Sequence, residues 1–183
     1  MPGWICSLLR CKDPTAAVPH VERYPPSNII HLLSASGIRT PMCGLHGTQG
    51  WARLVNVQDG DTVRIVMILP DYCGYAAKQV IVRLSGLNAP KRASTDPEEN
   101  RRAVAARDRL LQWATSPGVW GVQESDDYIV RKLAENLVVV YARISGADKY
   151  GRWLATLHKS DNPTASSINT ILVDEGFARP YGR

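Results

Sequence analysis

Residues 51–57, WARLVNV, and 61–69, DTVRIVMIL, alternate apolar and polar side chains around a Gln58-Asp59-Gly60 turn. Alternation with period two builds a sheet with one buried face, and a glycine-bearing turn between two such runs closes a hairpin. A third run, residues 78–87, ends at Asn88-Ala89-Pro90, since proline lacks the N–H that a sheet ladder needs. Two more runs, LVVVYAR at 137–143 and RWLATLH at 152–158, are joined by residues 145–151. Between the third and fourth runs lies the strongest helical stretch. Thr95 or Asp96 can cap it, Pro97 suits its first position, and Glu98 and Glu99 favour the positive end of the dipole. Val104, Leu111 and Ala114, flanked by Ala103, Leu110 and Trp113, give it an apolar stripe, and Ser116-Pro117-Gly118 ends it.

A further helix is expected over 165–175, with Ile168, Ile171 and Leu172 at core spacing and Gly176 as its C-cap. Residues 117–136 read as an insertion with a short helix at 128–134. The order β-β-β-α-β-β-α predicts a mainly β fold with some α: a five-stranded OB-type barrel plus two to three helices. Such barrels bind oligonucleotides, sugars and proteins alike, so the fold alone assigns no function.

Residues 1–50 differ from the rest. They hold six of the twelve prolines and three of the four histidines, without a sustained period. They read as an irregular N-terminal arm, with at most one short helical or strand piece at 28–33, and residues 51–183 as the barrel domain. The arm is expected to be an appendage that docks on a protein partner in a larger assembly.

The net charge of +5 suits a polyanion partner without requiring one. No window approaches the eighteen or so apolar residues of a membrane span. Four cysteines are too few for a disulfide framework in a chain of this length, which points to a reducing, intracellular compartment. A mitochondrial presequence is an alternative, because residues 1–50 are acid-poor and carry Arg10, Lys12, Arg23 and Arg39, although their prolines interrupt any amphipathic helix. Cys6, Cys11, Cys43 and His46 have a spacing that zinc would accept, against the plainer reading of single thiols.

Four segments carry a more specific signal. They are VQDGDTV at 57–63, VRLSGLNAP at 82–90, DKYGRWLA at 148–155 and INTILVDEGFA at 168–178. In this order and spacing they resemble the thermonuclease (micrococcal nuclease-like) family over roughly 130 residues. The resemblance implies a calcium ion beside the scissile phosphate, a glutamate acting on the attacking water, and two arginines stabilising the transition state. By motif position the arginines are Arg83 and Arg152, and the first metal aspartate is Asp61, with Asp59 close behind. Tyr150 falls where the family often stacks an aromatic on a base. Asn169 falls where it ties a helix to the barrel.

Two positions depart from the pattern. The second metal aspartate is Asn88, and the glutamate is Lys91. Calcium wants several oxygen ligands with carboxylate charge, whereas Lys91 offers no acceptor. An ammonium ~5 Å from a dication is repelled by roughly 6–7 kcal/mol at an effective dielectric near 20. The sequence therefore predicts a metal-free pocket with a charge of about +2 from Asp61, Arg83, Lys91 and Arg152. Such a pocket could hold phosphate through Arg83, Lys91, Tyr150 and Arg152. The expected function is a non-catalytic binding or structural module of a larger assembly. The alternatives are a calcium-dependent phosphodiesterase on DNA or RNA that uses Glu98 or Glu99 as its base, and an OB domain that binds nucleic acid weakly and without sequence preference.

Overall fold

The structure is a computed structural model that describes residues 27–38, 45, 47–71, 74–115, 125–162 and 164–181. Strands β1 (Gln49–Val57), β2 (Thr62–Asp71) and β3 (Gly74–Leu84) form an antiparallel meander. A short β4 (Leu87–Asn88) follows, then helices α2 (Pro97–Ala114) and α3 (Asp126–Glu135). The chain returns through β5 (Val139–Ala147), β6 (Trp153–His158), α4 (Ile168–Asp174) and β7 (Arg179–Pro180); α1 (Ser27–Ser34) precedes β1. The main sheet closes in the order β1-β2-β3-β6-β5, with β3 and β6 parallel and β5 pairing back onto β1. This is the expected five-stranded barrel, with four helices among the described residues.

The barrel fills because alternate residues point inward, Leu54, Ile65, Val80, Val82 and Leu157 among them, and the core continues onto α2, α3 and α4. A bulge between Leu54 and Asn56 switches the parity of β1. Val55 then turns outward and Val57 inward. Asp96 caps α2 by accepting from Glu98 N at 2.9 Å, with Pro97 in the first position as expected. The buried stripe of α2 includes Ala103, Leu110, Leu111 and Trp113 as expected, but it is wider. Val104 and Ala114 are only half-buried, while Ala106, Arg107 and Asp108 also face inward. Periodicity alone hid this because Arg107 and Asp108 neutralise one another, with Arg107 Nη2 2.9 Å from Asp108 Oδ1. The last helix starts at Ile168 rather than 165, because the Ser167 hydroxyl accepts from Thr170 N at 3.1 Å and caps it. Gly176 follows that helix at φ 79°, the left-handed turn that ends it.

The helical piece expected at 28–33 is α1, and it is more than an appendage. Leu33 is fully buried against Val55 and Val66 on the outer face of the barrel. Arg53, also buried, donates to Leu33 O at 3.1 Å, to Ser34 O at 2.9 Å and to Ser36 O. Its other Nη donates to Leu133 O and Ala134 O at the end of α3. The negative ends of two helices thus converge on one guanidinium, which compensates a buried charge without a carboxylate among the described residues. Residues 1–26, 39–44, 46 and 116–124, and with them Cys6, Cys11, Cys43 and His46, lie outside the described residues. Among those described, no helix is long and apolar enough to cross a membrane.

Candidate phosphate cleft

The β1–β2 turn begins the site. Asp59 Oδ1 accepts the Asp61 N–H at 3.0 Å, which folds the turn over itself. Gly60 is required there by space: a Cβ would lie 2.6 Å from Ala106 Cβ and 2.9 Å from Ala89 Cβ. The turn is thereby pressed onto α2 and onto the loop after β4, and Asp61 is buried in the crease. Burial, then the neighbouring Asp61 charge, push the Asp59 carboxyl above its ordinary range.

Thr62 and Arg83 are direct partners across β2 and β3, which sets Arg83 beside Asp61. Arg83 Nη1 lies 2.7 Å from Asp61 Oδ1. Its Nη2 donates to Leu87 O at 3.2 Å and to Asn88 Oδ1. The Asp61 carboxylate also accepts from the Thr62 hydroxyl and from Ala89 N, each at 3.0 Å.

Arg152 sits in the turn before β6. Its Nε and Nη2 are both 2.7 Å from Asp148 Oδ2, and its Nη1 is 3.3 Å from the Thr62 hydroxyl. Asp148 Oδ1 also takes the Tyr150 and Arg152 N–H groups at 2.9 and 3.0 Å. Burial alone would raise Asp148, but these hydrogen bonds outweigh it and hold the carboxyl below its usual range. Thr62 thus joins the two arginine clusters. Tyr150 is 73% exposed, with its ring 5.6 Å from Arg152 Cζ and 5.0 Å from Lys149 Nζ. Asn169 bridges Ser85 O, Ala155 O and Leu157 N, the helix-to-barrel tie expected of it.

Asp59, Asp61, Arg83, Asn88, Asp148 and Arg152 line one cleft of about 1460 Å³, which also takes in Lys91, Glu99, Arg102, Tyr150, Arg179 and Tyr181. The structure brings Asp61, Arg83, Asn88, Lys91, Tyr150 and Arg152 to a single surface. The expected surplus of positive charge is reduced, because the lining carries six basic and five acidic side chains. Of the two acids named as alternative bases, Glu99 is the one at the cleft: the first turn of α2 places its Oε1 3.4 Å from Lys91 N. Glu98 instead pairs with Arg101. Ser94, then the Lys91 N–H, hold Glu99 below its ordinary range. The loop is pinned by Arg92, whose Nη1 donates to Gln58 O at 2.7 Å and to Asp126 Oδ1 at 2.8 Å.

The donor set does not fit calcium. Asp61 has both oxygens engaged by protein donors, Asn88 Oδ1 is engaged by Arg83, and Asp59 Oδ1 by a backbone N–H. Among the described residues no three His, Cys, Asp or Glu side chains cluster as a metal would require. Sequence reasoning missed several members of the cleft, Tyr181 among them. Asp148 stands within the DKYGR motif, four residues before the arginine it holds, and was legible there. Arg102 and Arg179 enter only because the fold turns α2 and β7 toward the site.

No curated protein matches the chain. The family model for staphylococcal nuclease homologues matches residues 81–183, from within β3 to the last residue and across Arg83, Asn88, Lys91 and Arg152. With more than half of its length matched, the chain belongs to the staphylococcal nuclease homologue family.

Proposed function

We propose that this chain is a non-catalytic staphylococcal nuclease-like module that serves as a binding component of a larger assembly. The observation that carries the reading is the closure of Arg83 on Asp61, Leu87 O and Asn88. Phosphodiester hydrolysis needs an activated water and stabilisation of charge on the phosphate. Here the acid that would hold a metal neutralises the arginine that would hold the phosphate, and Lys91 stands at the base position. A protein partner is assigned to the proline-rich N-terminal segment, whose sequence lacks the periodicity of a core.

A second reading, a working phosphodiesterase, draws support from Glu99 beside Lys91 N. Its weakness is chemical: a carboxylate held below its ordinary range is a poorer proton acceptor. A fluorogenic oligonucleotide assay separates the two. The non-catalytic reading expects no calcium-dependent turnover above an Arg83→Ala/Arg152→Ala control. Turnover that vanishes with Glu99→Gln would establish the phosphodiesterase.

A further inference from the structure

Helix α3 is tied at both ends and held weakly between them. Of its ten residues only Ile129 and Leu133 are buried, against seven on α2. A helix with so few buried apolar side chains is a unit of low local stability, so the polar ties at its ends decide whether it stays seated.

At the C-terminal end the tie is Arg53 of β1. One terminal nitrogen donates to Leu133 O at 3.4 Å and to Ala134 O at 3.0 Å. The other donates to Leu33 O, Ser34 O and Ser36 O, so the same guanidinium also seats α1. At the N-terminal end the tie is Asp126, whose Oδ1 lies 2.8 Å from Arg92 Nη1 and 3.3 Å from Arg107 Nη1. Arg92 Nη1 donates to Gln58 O as well, at 2.7 Å, and so pins the loop after β4 to the β1–β2 turn. That loop carries Lys91 and also Ala89, whose N–H donates to Asp61 Oδ2 at 3.0 Å. The two ties are about 12 Å apart along the helix, eight residues at ~1.5 Å each. Substitutions that far apart ordinarily act independently.

We infer that α3 is a strut through which the seating of α1 controls the loop that carries Lys91. Displacement of α1 strips the buried Arg53 of three carbonyl acceptors, and a guanidinium so deprived turns toward water and releases the α3 carbonyls. With that end free, α3 unseats, Asp126 leaves Arg92, and Arg92 keeps only Gln58 O to hold the loop. A protein partner that holds α1 down therefore stiffens the cleft loop, and one that draws α1 away loosens it. The strut goes beyond the non-catalytic reading and stands whether or not the cleft does chemistry.

Residue-resolved amide hydrogen exchange on the full chain tests the strut. Leu33→Ala weakens the seat of α1 and leaves every α3 side chain in place. Exchange is expected to rise roughly fivefold or more at the Ile129 N–H, which donates to Ser125 O within α3, and at the Ala89 N–H in the loop. Ile144→Ala, a core change in β5 outside both ties, controls for loss of global stability. A second comparison places Leu33→Ala in an Asp126→Ala background, where the strut has lost its far end. There Leu33→Ala still speeds Ile129 but adds nothing at Ala89. Leu33→Val repeats the comparison at smaller amplitude where the alanine variant is too unstable to measure. Equal acceleration of Ala89 with and without Asp126 overturns the strut, as does a response no greater than that to Ile144→Ala.

Discussion

Asp61 and Arg83 face one another across the mouth of the barrel at 2.7 Å, with the aspartate buried and the arginine side chain 15% exposed. Each is also engaged by further protein groups, so the pair stabilises the fold at the place where the family does chemistry. Asp61→Asn leaves Arg83 without its counter-charge. Breaking a buried pair on one side costs several kcal/mol, and partial exposure reduces this to about 2 kcal/mol. Urea denaturation of wild type and variant measures it. An unchanged midpoint would show that the pair contributes nothing to stability.

Gly60 should tolerate no side chain. Its Cβ would meet Ala106 on α2 and Ala89 on the neighbouring loop, neither able to withdraw as a flexible side-chain end could. Overpacking of this kind costs about 1–3 kcal/mol. Gly60→Ala is expected to lower the melting temperature. The same displacement moves Asp61, so the variant should also weaken any anion binding in the cleft.

Asp59 sets a pH dependence. Its carboxyl is raised from the usual value of 3.8, first by burial and then by Asp61. For an acid raised on folding, the favourable state is present below the unfolded value and stability is lost as pH rises through the folded value. Asp59→Asn keeps the Oδ1 that accepts the Asp61 N–H but removes the disfavoured charge. The variant should be more stable than wild type at pH 7, with the gain vanishing below about pH 4. Asp148 has the opposite sign: its lowered carboxyl stabilises above 3.8 and ceases to do so as pH falls through its folded value. Melting curves of the Asp59 variant across pH 3–8 test the assignment; a gain that is the same in acid and at neutrality contradicts it.

Deleting residues 1–45 should destabilise the barrel, although the composition of that segment suggests a detachable arm. Truncation removes Leu33 from its place over Val55 and Val66 and strips Arg53 of three carbonyl acceptors. Leu33→Ala alone is expected to cost about 2–4 kcal/mol. Denaturation of the truncated chain is the measurement, and a midpoint equal to that of the full chain returns α1 to the status of an appendage.

The barrel was readable because its strands obey period two, and α2 because its cap, proline and acids agree with one another. What escaped the sequence depends on contacts between distant elements. Arg53 looks like any outward strand residue until two helix ends are found against it. Arg107 and Asp108 break the apolar stripe of α2, and their burial depends on their pairing with each other and of Arg107 with Asp126. In the site, motif spacing located Asp61, Arg83, Asn88, Lys91 and Arg152. It could not show that Arg83 is closed on Asp61, nor that Glu99 lies at Lys91 N, because side-chain direction is fixed by packing of the turn against α2.

If Asn88 and Lys91 are what exclude a metal, restoring the family's carboxylates should admit one. In the wild type the Asn88 oxygen carries no charge and is spent on Arg83, and Lys91 adds a positive charge to a cleft with six basic and five acidic side chains. Asn88→Asp/Lys91→Glu converts this to five basic and seven acidic groups and puts new carboxylates near Asp61. A hard dication gains from carboxylate charge more than from neutral oxygens. Removing an ammonium also relieves a repulsion of several kcal/mol at close range, taking an effective dielectric near 20. Isothermal titration with calcium should show no site in the wild type and one weak site in the double variant, abolished by Asp61→Asn. Cleavage of an oligonucleotide by the double variant should remain small, because Arg83 stays partly committed to Asp61 and the loss of one transition-state electrostatic group already costs ~3–4 kcal/mol in barrier. Calcium binding by the wild type in this cleft would remove the physical ground for a non-catalytic module and bring Glu99 forward as the base to test next.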